Sequence, residues 1–227
     1  MMPPMPYKLF IGEKRYSSWS LRAWLALRGA GIPFEEVPTS LQPDAGKAAR
    51  LAKLPAGRVP ALEDGDVKVW DSLAICEYLA ESHAGMWPSD RVARAWARSI
   101  CAEMHSGFLA LRNEMSMDVH SRRPQRRRSP AVLADIERVK GIWTETRERF
   151  GKGGPLLFGT FTIADAYYAP VAFRFRTYGV DPGGEAAAYA KAVLALPAVR
   201  EWEEGGRKDP VLSDHDLDLM YPDDPRA

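Results

Sequence analysis

Three hydroxyl side chains stand close together near the start of the chain, at Ser17, Ser18 and Ser20. They lie between a short apolar run, Tyr7 to Ile11, and a helix-spaced apolar set that begins at Leu21. Unpaired N–H groups at a helix N-terminus favour an anion, and a hydroxyl group there can donate to it. The segment predicts either an anion site or a plain helix cap provided by Ser18 or Ser20.

A thiolate is one anion that such a segment can stabilise. Lowering the pKa of a thiol by one unit requires about 1.4 kcal/mol. A hydrogen bond to a charged group contributes about 1.5–3 kcal/mol, and the helix end adds about 0.3–1 kcal/mol. One serine hydroxyl together with the helix end is therefore sufficient to ionise much of a bound thiol near neutral pH.

Two further segments carry residue types that suit a peptide-like ligand. Pro60 follows Val59 at the start of a predicted strand, where a cis bond would turn the Val59 backbone outward to pair with a peptide. An ordinary trans proline at a strand start is the alternative. Asp71 and Ser72 place a carboxylate and a hydroxyl at a predicted helix start, which suits an amino-acid-like group with both charges. A plain N-cap is the alternative there.

These segments lie at the ends of elements that alternate in type. The first part of the chain predicts strand, helix, strand, helix, strand, strand and helix, with a parallel start and a hairpin turn at Asp64-Gly65. After Pro88 the apolar residues repeat every three or four positions and predict helices only, with one long helix over 91–117 and another over 131–150. We expect an α/β unit over residues 1–84 and an all-helical unit over residues 91–227.

Composition and charge argue against several classes of protein. The chain has 31 Lys and Arg against 30 Asp and Glu, a net charge of +1, whereas a nucleic-acid binder is strongly and locally basic. The arginine run at 122–128 is interpreted as a solvated loop. Two cysteines, Cys76 and Cys101, are expected to be buried, and the four histidines lack paired ligand spacing, so no metal is expected. Without a signal peptide or a membrane-spanning apolar run, we expect a cytoplasmic protein that binds no membrane.

Three motifs, in this order, resemble the cytosolic glutathione transferases, and within them the serine-type, zeta-like branch. The motifs are Ser17 to Arg22, Arg58 to Leu62, and Trp70 to Leu79. Residues 161–165 are similar to that family's capping box, in which Thr162 caps a helix and Asp165 reaches back to the cap N–H. The resemblance extends to about Trp202. It implies a thioredoxin-like α/β N-terminal domain followed by an all-α C-terminal domain.

The resemblance also implies a glutathione S-transferase of the detoxification type, with glutathione as co-substrate and a small electrophile as the second substrate. Ser17 would donate its hydroxyl to the glutathione thiolate, and Ser18 or its backbone would assist. Val59 would pair through its backbone with the cysteinyl part of glutathione, before a cis Pro60. A homodimer is implied by the resemblance alone.

The two ends of glutathione are assigned in the same way. Asp71 and Ser72 would hold the γ-glutamyl end, where the family more often has Glu or Gln in place of Asp71. Gln42 and Arg58 would meet the glycine carboxylate.

The electrophile is expected between the helical unit and the segment of residues 16–20, which we call the serine loop. Its candidate contacts are Trp19, Met104, His105, Phe108 and Arg112. Most of these residues have helical spacing and fit a hydrophobic core equally well.

Two other functions stay open. Zeta members that isomerise maleylacetoacetate use an arginine in the helix after the capping box; counting from Asp165 places Thr177 there, with Arg174 and Arg176 nearby. Trp19 also replaces the zeta cysteine. Both departures favour a general transferase or peroxidase-like activity over an isomerase. A non-catalytic glutathione-binding or interaction module is the remaining alternative.

Overall fold

The computed structural model describes residues 7–42, 44, 46–124 and 127–212. The first part of the chain contains β1 (Tyr7–Ile11), α1 (Ser18–Gly29), β2 (Phe34–Pro38), α2 (Lys47–Leu51), β3 (Ala61–Asp64), β4 (Val67–Val69) and α3 (Ser72–Ser82). The second part contains α4 (Arg91–Ser106), α5 (Leu109–Glu114), α6 (Pro130–Phe150), α7 (Ile163–Tyr178), α8 (Gly184–Ala195) and α9 (Pro197–Gly205). A 3₁₀ turn, Gly206–Lys208, follows. The predicted thioredoxin-like unit followed by helices is confirmed.

The residues that the structure does not describe include 1–6 of the predicted α/β unit and 213–227 of the predicted helical unit. Arg126 of the arginine run and His215, one of the four histidines, also lie outside the described residues. Elsewhere, both cysteines are buried as predicted, and burial raises the pKa of each thiol. In the described part of the chain, no group of three or more His, Cys, Asp or Glu side chains is arranged to hold a metal ion. Across the same residues, no helix has the length and apolar character needed to cross a membrane.

The four strands form one mixed sheet in the order β2-β1-β3-β4. Strand β1 runs parallel to β2, with Tyr7 opposite Phe34, and antiparallel to β3, with Leu9 opposite Leu62. Strands β3 and β4 form the predicted antiparallel hairpin, in which Leu62 faces Val69. The loops that carry the predicted glutathione contacts leave this sheet at β1, at β2, ahead of β3 and after β4.

Helix α1 lies between the sheet and the helical part of the chain, where it contacts α3, α7 and α9. Nine of its twelve residues are buried, which explains why its sequence lacks a broad polar face. Trp24 is fully buried and meets the ring of Trp202 edge-on, with 5.2 Å between ring centroids. At the end of α1, a Cβ on Gly29 would lie 2.3 Å from Phe161, so glycine permits this close approach. The two parts of the chain thus share one continuous core.

The long helix predicted over residues 91–117 is divided in two, and that prediction is wrong. Helix α4 ends at Ser106 with Gly107 as its C-cap, and Phe108 adopts a left-handed conformation with φ of 59° before α5 begins. The Nε of Arg112 donates to the Gly107 carbonyl at 3.0 Å, and Nη2 donates to the Met104 carbonyl. Arg112 therefore satisfies carbonyl groups that the end of α4 leaves unpaired. Apolar spacing continues through the break because both helices pack on the same core.

The predicted capping box is present at the start of α7. The Asp165 carboxylate accepts from the Thr162 N–H at 2.8 Å and from the Thr162 hydroxyl at 3.2 Å. Its other oxygen accepts from the Leu157 N–H at 3.1 Å. Asp165 is fully buried, so this carboxylate ties the preceding loop to the first turn of the most enclosed helix.

Candidate functional site

Ser17 is the N-cap residue of α1. Its Oγ accepts a hydrogen bond from the Ser20 N–H at 3.3 Å and donates one to the Ser20 Oγ at 2.8 Å. The Ser20 Oγ also accepts from the Gly12 N–H at 3.0 Å. The expectation that Ser18 or Ser20 caps the helix is wrong, because the helix begins at Ser18 and Ser17 takes the extended cap conformation. Ser17, to which the resemblance assigns the thiolate contact, is therefore itself the N-cap residue of α1.

Ser18 connects the serine loop to the helical part of the chain. Its Oγ lies 3.4 Å from the Nη2 of Arg174, a buried residue of α7. The other terminal nitrogen of Arg174 donates to the carbonyl of Arg112 at 3.3 Å and to that of Met115. Arg174 thus brings a buried positive charge to the first residue of α1.

The position reached by counting from the capping box has a different role. Thr177 is buried, and its hydroxyl donates to the Asp118 carbonyl at 2.9 Å. Arg176 forms an ion pair with Glu203 at 2.6 Å. Of the three residues considered for the isomerase position, Arg174 has a direct contact with the serine loop.

Glu13 organises the loops around Ser17, and the sequence analysis missed it. Its carboxylate accepts from the Ser40 hydroxyl at 2.9 Å and from the Leu41 N–H at 3.0 Å. Its backbone carbonyl accepts from the Ser17 N–H at 2.8 Å. Glu13 therefore joins the serine loop to the segment that carries Gln42. An acidic loop residue is ordinarily exposed, so sequence alone gave no signal for this buried role.

Gly12 permits three loops to converge. A Cβ at this position would lie 2.8 Å from Cδ1 of Leu41 and 3.3 Å from Cγ2 of Val59. The Val59–Pro60 peptide bond is cis, as the resemblance implies, with Pro60 buried and Val59 half-buried. Arg58, the next residue towards the N-terminus, is exposed. The backbone N–H of Gln42 donates to Ser40 Oγ at 3.3 Å, and its side chain is half-buried.

Asp71 caps α3 and also reaches across to the helical part of the chain. One carboxylate oxygen, Oδ1, accepts from the Leu73 N–H at 3.0 Å. The other, Oδ2, lies 3.1 Å from Nε2 of His105. The Trp70–Asp71 peptide bond is also cis. The N-cap alternative is therefore correct for one oxygen, while the second faces a histidine of α4.

Ser72 is fully buried at the start of α3. Its hydroxyl lies 3.0 Å from the hydroxyl of Tyr167 on α7, within hydrogen-bonding distance. This contact joins the sheet-bearing part of the chain to the helices, beside the half-exposed carboxylate of Asp71. The Ser72 hydroxyl thus has a protein partner in Tyr167.

Three of the residues expected to contact the electrophile lie together. The guanidinium carbon of Arg112 is 4.7 Å from the Trp19 ring centroid, and the His105 ring meets Trp19 edge-on at 5.3 Å. The other two, Met104 and Phe108, are only 1% and 7% exposed and belong to the hydrophobic core. The core alternative therefore describes Met104 and Phe108 well, and Trp19 is half-buried beside the serine loop.

Arg22 adds a second buried cation beneath Trp19, and the sequence did not point to it as a functional residue. Its guanidinium carbon lies 4.4 Å from the Trp19 ring centroid and 4.9 Å from that of Tyr167. Arg22 is 1% exposed, and burial lowers its pKa. Its Nε and Nη1 have no hydrogen-bond partner among the described residues. A buried guanidinium with two unpaired nitrogens makes its surroundings favourable to an anion.

A cleft of about 750 Å³ lies elsewhere, between the end of α3, the start of α4 and residues 150–162. Its walls include Trp87, Arg94, Phe150 and Phe158. None of the residues predicted to contact glutathione or the electrophile lines it.

Comparison with protein-family models gives two matches. The model described as glutathione S-transferase, N-terminal domain, matches residues 16–82, and the one described as glutathione S-transferase, C-terminal domain, matches residues 122–205. The two segments contain the serine loop, the cis Pro60, Asp71 and the capping box. The second begins after α5, so it omits His105 and Arg112.

Curated relatives of similar length also match. Glutathione S-transferase 4 from Zea mays is 28% identical over 192 residues, covering 81% of this chain and 81% of that protein. Maleylacetoacetate isomerase from Rattus norvegicus is 30% identical over 206 residues, covering 86% of this chain and 89% of that protein.

Solved structures share the fold. A glutathione transferase homolog from Burkholderia with bound glutathione has a TM-score of 0.66 at 23% identity, covering 90% of this chain and 99% of that one. Glutathione transferase F2 from Populus trichocarpa has a TM-score of 0.66 at 17% identity, covering 90% and 100% of the two chains. At these identities the likeness establishes the two-part architecture.

Proposed function

This chain belongs to the glutathione S-transferase family and is an enzyme of that family, and we propose that it uses the Ser17 hydroxyl to activate the thiol of glutathione. The activated thiolate attacks a small electrophile held between the serine loop and the helices. The observation that carries this proposal is the hydroxyl of Ser17 at the N-terminus of α1, which donates its proton to the Ser20 hydroxyl at 2.8 Å.

The energies favour a change of partner when a thiolate binds. A hydrogen bond between two neutral groups contributes about 0.5–1.5 kcal/mol, whereas one to a charged group contributes about 1.5–3 kcal/mol. The proton of Ser17 therefore gains by leaving the Ser20 hydroxyl for a sulfur anion. The first N–H groups of α1 and the buried guanidinium of Arg174 beside Ser18 favour the same negative charge.

The rest of glutathione extends along the converging loops. The backbone of Val59, before cis Pro60, pairs with the cysteinyl part, and Asp71 receives the γ-glutamyl ammonium group. Because the Ser72 hydroxyl is engaged with Tyr167, Ser72 acts through its backbone N–H. Gln42 and Arg58 hold the glycine carboxylate. The electrophile packs against Trp19, with Arg112 beside it.

The proposal divides the work between the two parts of the chain. Residues 1–84 bind glutathione, and residues 91–227 contribute the electrophile side. The protein acts as a cytoplasmic homodimer in detoxification, an arrangement that rests on the resemblance of its motifs to the serine-type, zeta-like branch.

A second candidate is an isomerase that uses glutathione without consuming it. It is supported by the contact between Arg174 and Ser18 and by the similarity to the rat maleylacetoacetate isomerase. The two candidates differ in stoichiometry, because conjugation consumes one glutathione per turnover and isomerisation consumes none.

Calorimetric titration with glutathione, followed by turnover assays, tests the proposal. We expect saturable binding at one site per chain and loss of free thiol in proportion to electrophile consumed. Turnover of a cis-unsaturated substrate with no loss of free thiol would favour the isomerase. Absence of glutathione binding would contradict both.

A further inference from the structure

We propose that His105 positions the Asp71 carboxylate for the ammonium group of the γ-glutamyl end of glutathione. This assigns His105 to the glutathione subsite, as a positioning residue, instead of to the electrophile side. The inference rests on the proposed function, since it concerns how one end of the same co-substrate is recognised.

The two oxygens of Asp71 have separate partners. Oδ1 accepts from the Leu73 N–H at 3.0 Å and from the Ala74 N–H at 3.5 Å, so it is committed to capping α3. Oδ2 lies 3.1 Å from Nε2 of His105. The Asp71 side chain is 52% exposed and therefore open to a ligand, whereas that of His105 is 26% exposed. With one oxygen on the helix and one on the histidine, the plane of the carboxylate is fixed.

His105 belongs to the last turn of α4, so the contact joins the helical part of the chain to α3. The imidazole is itself held by packing. The Trp19 ring of α1 meets it edge-on at 5.3 Å, and the Tyr167 ring of α7 lies 6.5 Å away. These two ring contacts hold the imidazole so that Nε2 faces Asp71.

The protonation state that follows from these surroundings suits the recognition of a cation. Nδ1 of His105 is buried without a hydrogen-bond partner among the described residues, so a second N–H there would be unpaired. Burial, together with the guanidinium groups of Arg22 on α1 and Arg112 on α5, lowers the pKa of His105, although Asp71 opposes this change. A neutral imidazole with its proton on Nε2 donates to Asp71 and leaves the full negative charge of the carboxylate for the ammonium group.

Substitutions at His105 test this role by removing or keeping the donor to Asp71. His105→Leu removes the Nε2–H donor, whereas His105→Gln keeps an N–H of similar reach. Steady-state kinetics use glutathione and an analogue in which the γ-glutamyl group is replaced by a glutaryl group, which lacks the ammonium. His83→Leu is the matched control, because His83 contacts the hydroxyl of Tyr7 at 3.1 Å and lies outside the proposed site.

We expect His105→Leu to raise the KM for glutathione roughly tenfold, the scale of one lost charge-assisted hydrogen bond, with kcat changed less than about twofold. In His105→Gln the KM for glutathione should be close to the wild-type value, and in His83→Leu it should be unchanged. With the glutaryl analogue, His105→Leu has no effect on KM. In an Asp71→Asn background, His105→Leu should raise the KM for glutathione by a much smaller factor than it does in the wild type, since the two residues act through one contact.

Several results would overturn the inference. An equal rise in KM for glutathione and for the glutaryl analogue, or failure of His105→Gln to restore KM, would assign His105 a packing role only. If His105→Leu does not fold, His105→Phe takes its place, because it keeps a ring against Trp19 and lacks the Nε2–H donor; a positioning role predicts the same rise in KM for glutathione and no change for the glutaryl analogue. If the wild type binds glutathione but no His105 variant changes the KM for glutathione, this inference alone is wrong. Wild-type protein that fails to bind glutathione defeats the proposed function and this inference together.

Discussion

The hydroxyl of Ser17 donates to the hydroxyl of Ser20 across 2.8 Å, while a lone pair of Ser17 Oγ accepts the Ser20 N–H. The cap of α1 therefore uses an acceptor of Ser17, and its single proton is held by a neutral neighbour. Ser20 keeps a partner when that proton moves, because its Oγ also accepts from Gly12. One serine can thus begin the helix and still give its proton to a bound anion.

Replacement of Glu13 tests whether the loop contacts position the glutathione site. Glu13→Ala leaves the Leu41 N–H and the Ser40 hydroxyl without their acceptor and frees the segment that carries Gln42. We expect the KM for glutathione to rise several-fold, with a smaller change in kcat, and the free energy of unfolding to fall by about 1–3 kcal/mol. Initial-rate kinetics and urea unfolding measure the two effects.

Glu13→Gln is the matched control, because its amide oxygen can take the place of Oε1, which accepts both bonds, but carries no charge. Its KM for glutathione and its free energy of unfolding should both lie between those of the wild type and of Glu13→Ala. A fully folded Glu13→Ala protein with an unchanged KM for glutathione would show that this tether does not shape the site.

The chain after α9 returns to the serine loop, and Tyr16 holds it there. The Tyr16 hydroxyl donates to the Pro210 carbonyl and accepts from the Leu212 N–H, both at 2.9 Å. Tyr16→Phe removes both bonds, so hydrogen exchange at the Leu212 amide should become faster. The free energy of unfolding should fall by only about 1 kcal/mol.

Tyr78→Phe is the control, since the Tyr78 hydroxyl donates to Asp64 at 2.7 Å and is remote in sequence from this contact. Exchange at Leu212 should be unaffected by it. Equal exchange rates at Leu212 in Tyr16→Phe and the wild type would mean that another contact holds this segment.

The buried carboxyl of the capping box makes stability depend on pH. Burial raises the pKa of Asp165 from 3.8 to about 6, against the opposing effect of hydrogen bonds from Leu157 and Thr162. Because the folded-state pKa lies above the unfolded one, the favourable contribution is complete below about pH 4 and is lost as the pH rises through about 6. Relative to Asp165→Asn, the wild type should therefore lose on the order of 3 kcal/mol over this interval.

Denaturant unfolding of both proteins between these pH values measures the difference. Asp165→Asn serves as the reference because it cannot titrate. A wild type that gains stability over Asp165→Asn as the pH rises would show that the hydrogen bonds, and not burial, control the ionisation of this carboxyl.

Several elements followed from the sequence because local signals agreed with the tertiary structure. The strand Tyr7–Ile11, the hairpin at Asp64-Gly65 and the capping box at Thr162 each carry a pattern that works within a few residues. The break at Phe108 was missed because its cause, Arg112 closing the end of α4, is a contact that periodicity does not encode.

Sequence motifs predicted those site residues that lie at the start of a helix or strand. They did not predict the residues whose role depends on being buried in the folded chain. Asp71 and Pro60 were found by their position before a helix or strand. Glu13 and Arg22 were missed, since charged residues in a loop or on a helix are expected to be exposed. The partner of Asp71 was missed for a related reason: His105 comes from a distant helix, and helical spacing assigned it elsewhere.

The pKa of the glutathione thiol bound to wild type and to Ser17→Ala tests the central claim most directly. Thiolate absorbance near 240 nm is followed against pH at saturating glutathione, with Ser18→Ala as the neighbouring control. The account predicts that the bound thiol ionises well below its free value in the wild type, and that Ser17→Ala raises its pKa by at least about one unit, or 1.4 kcal/mol. Ser18→Ala should have a smaller effect. A bound thiol with the same pKa in Ser17→Ala and the wild type would show that Ser17 is a helix cap alone.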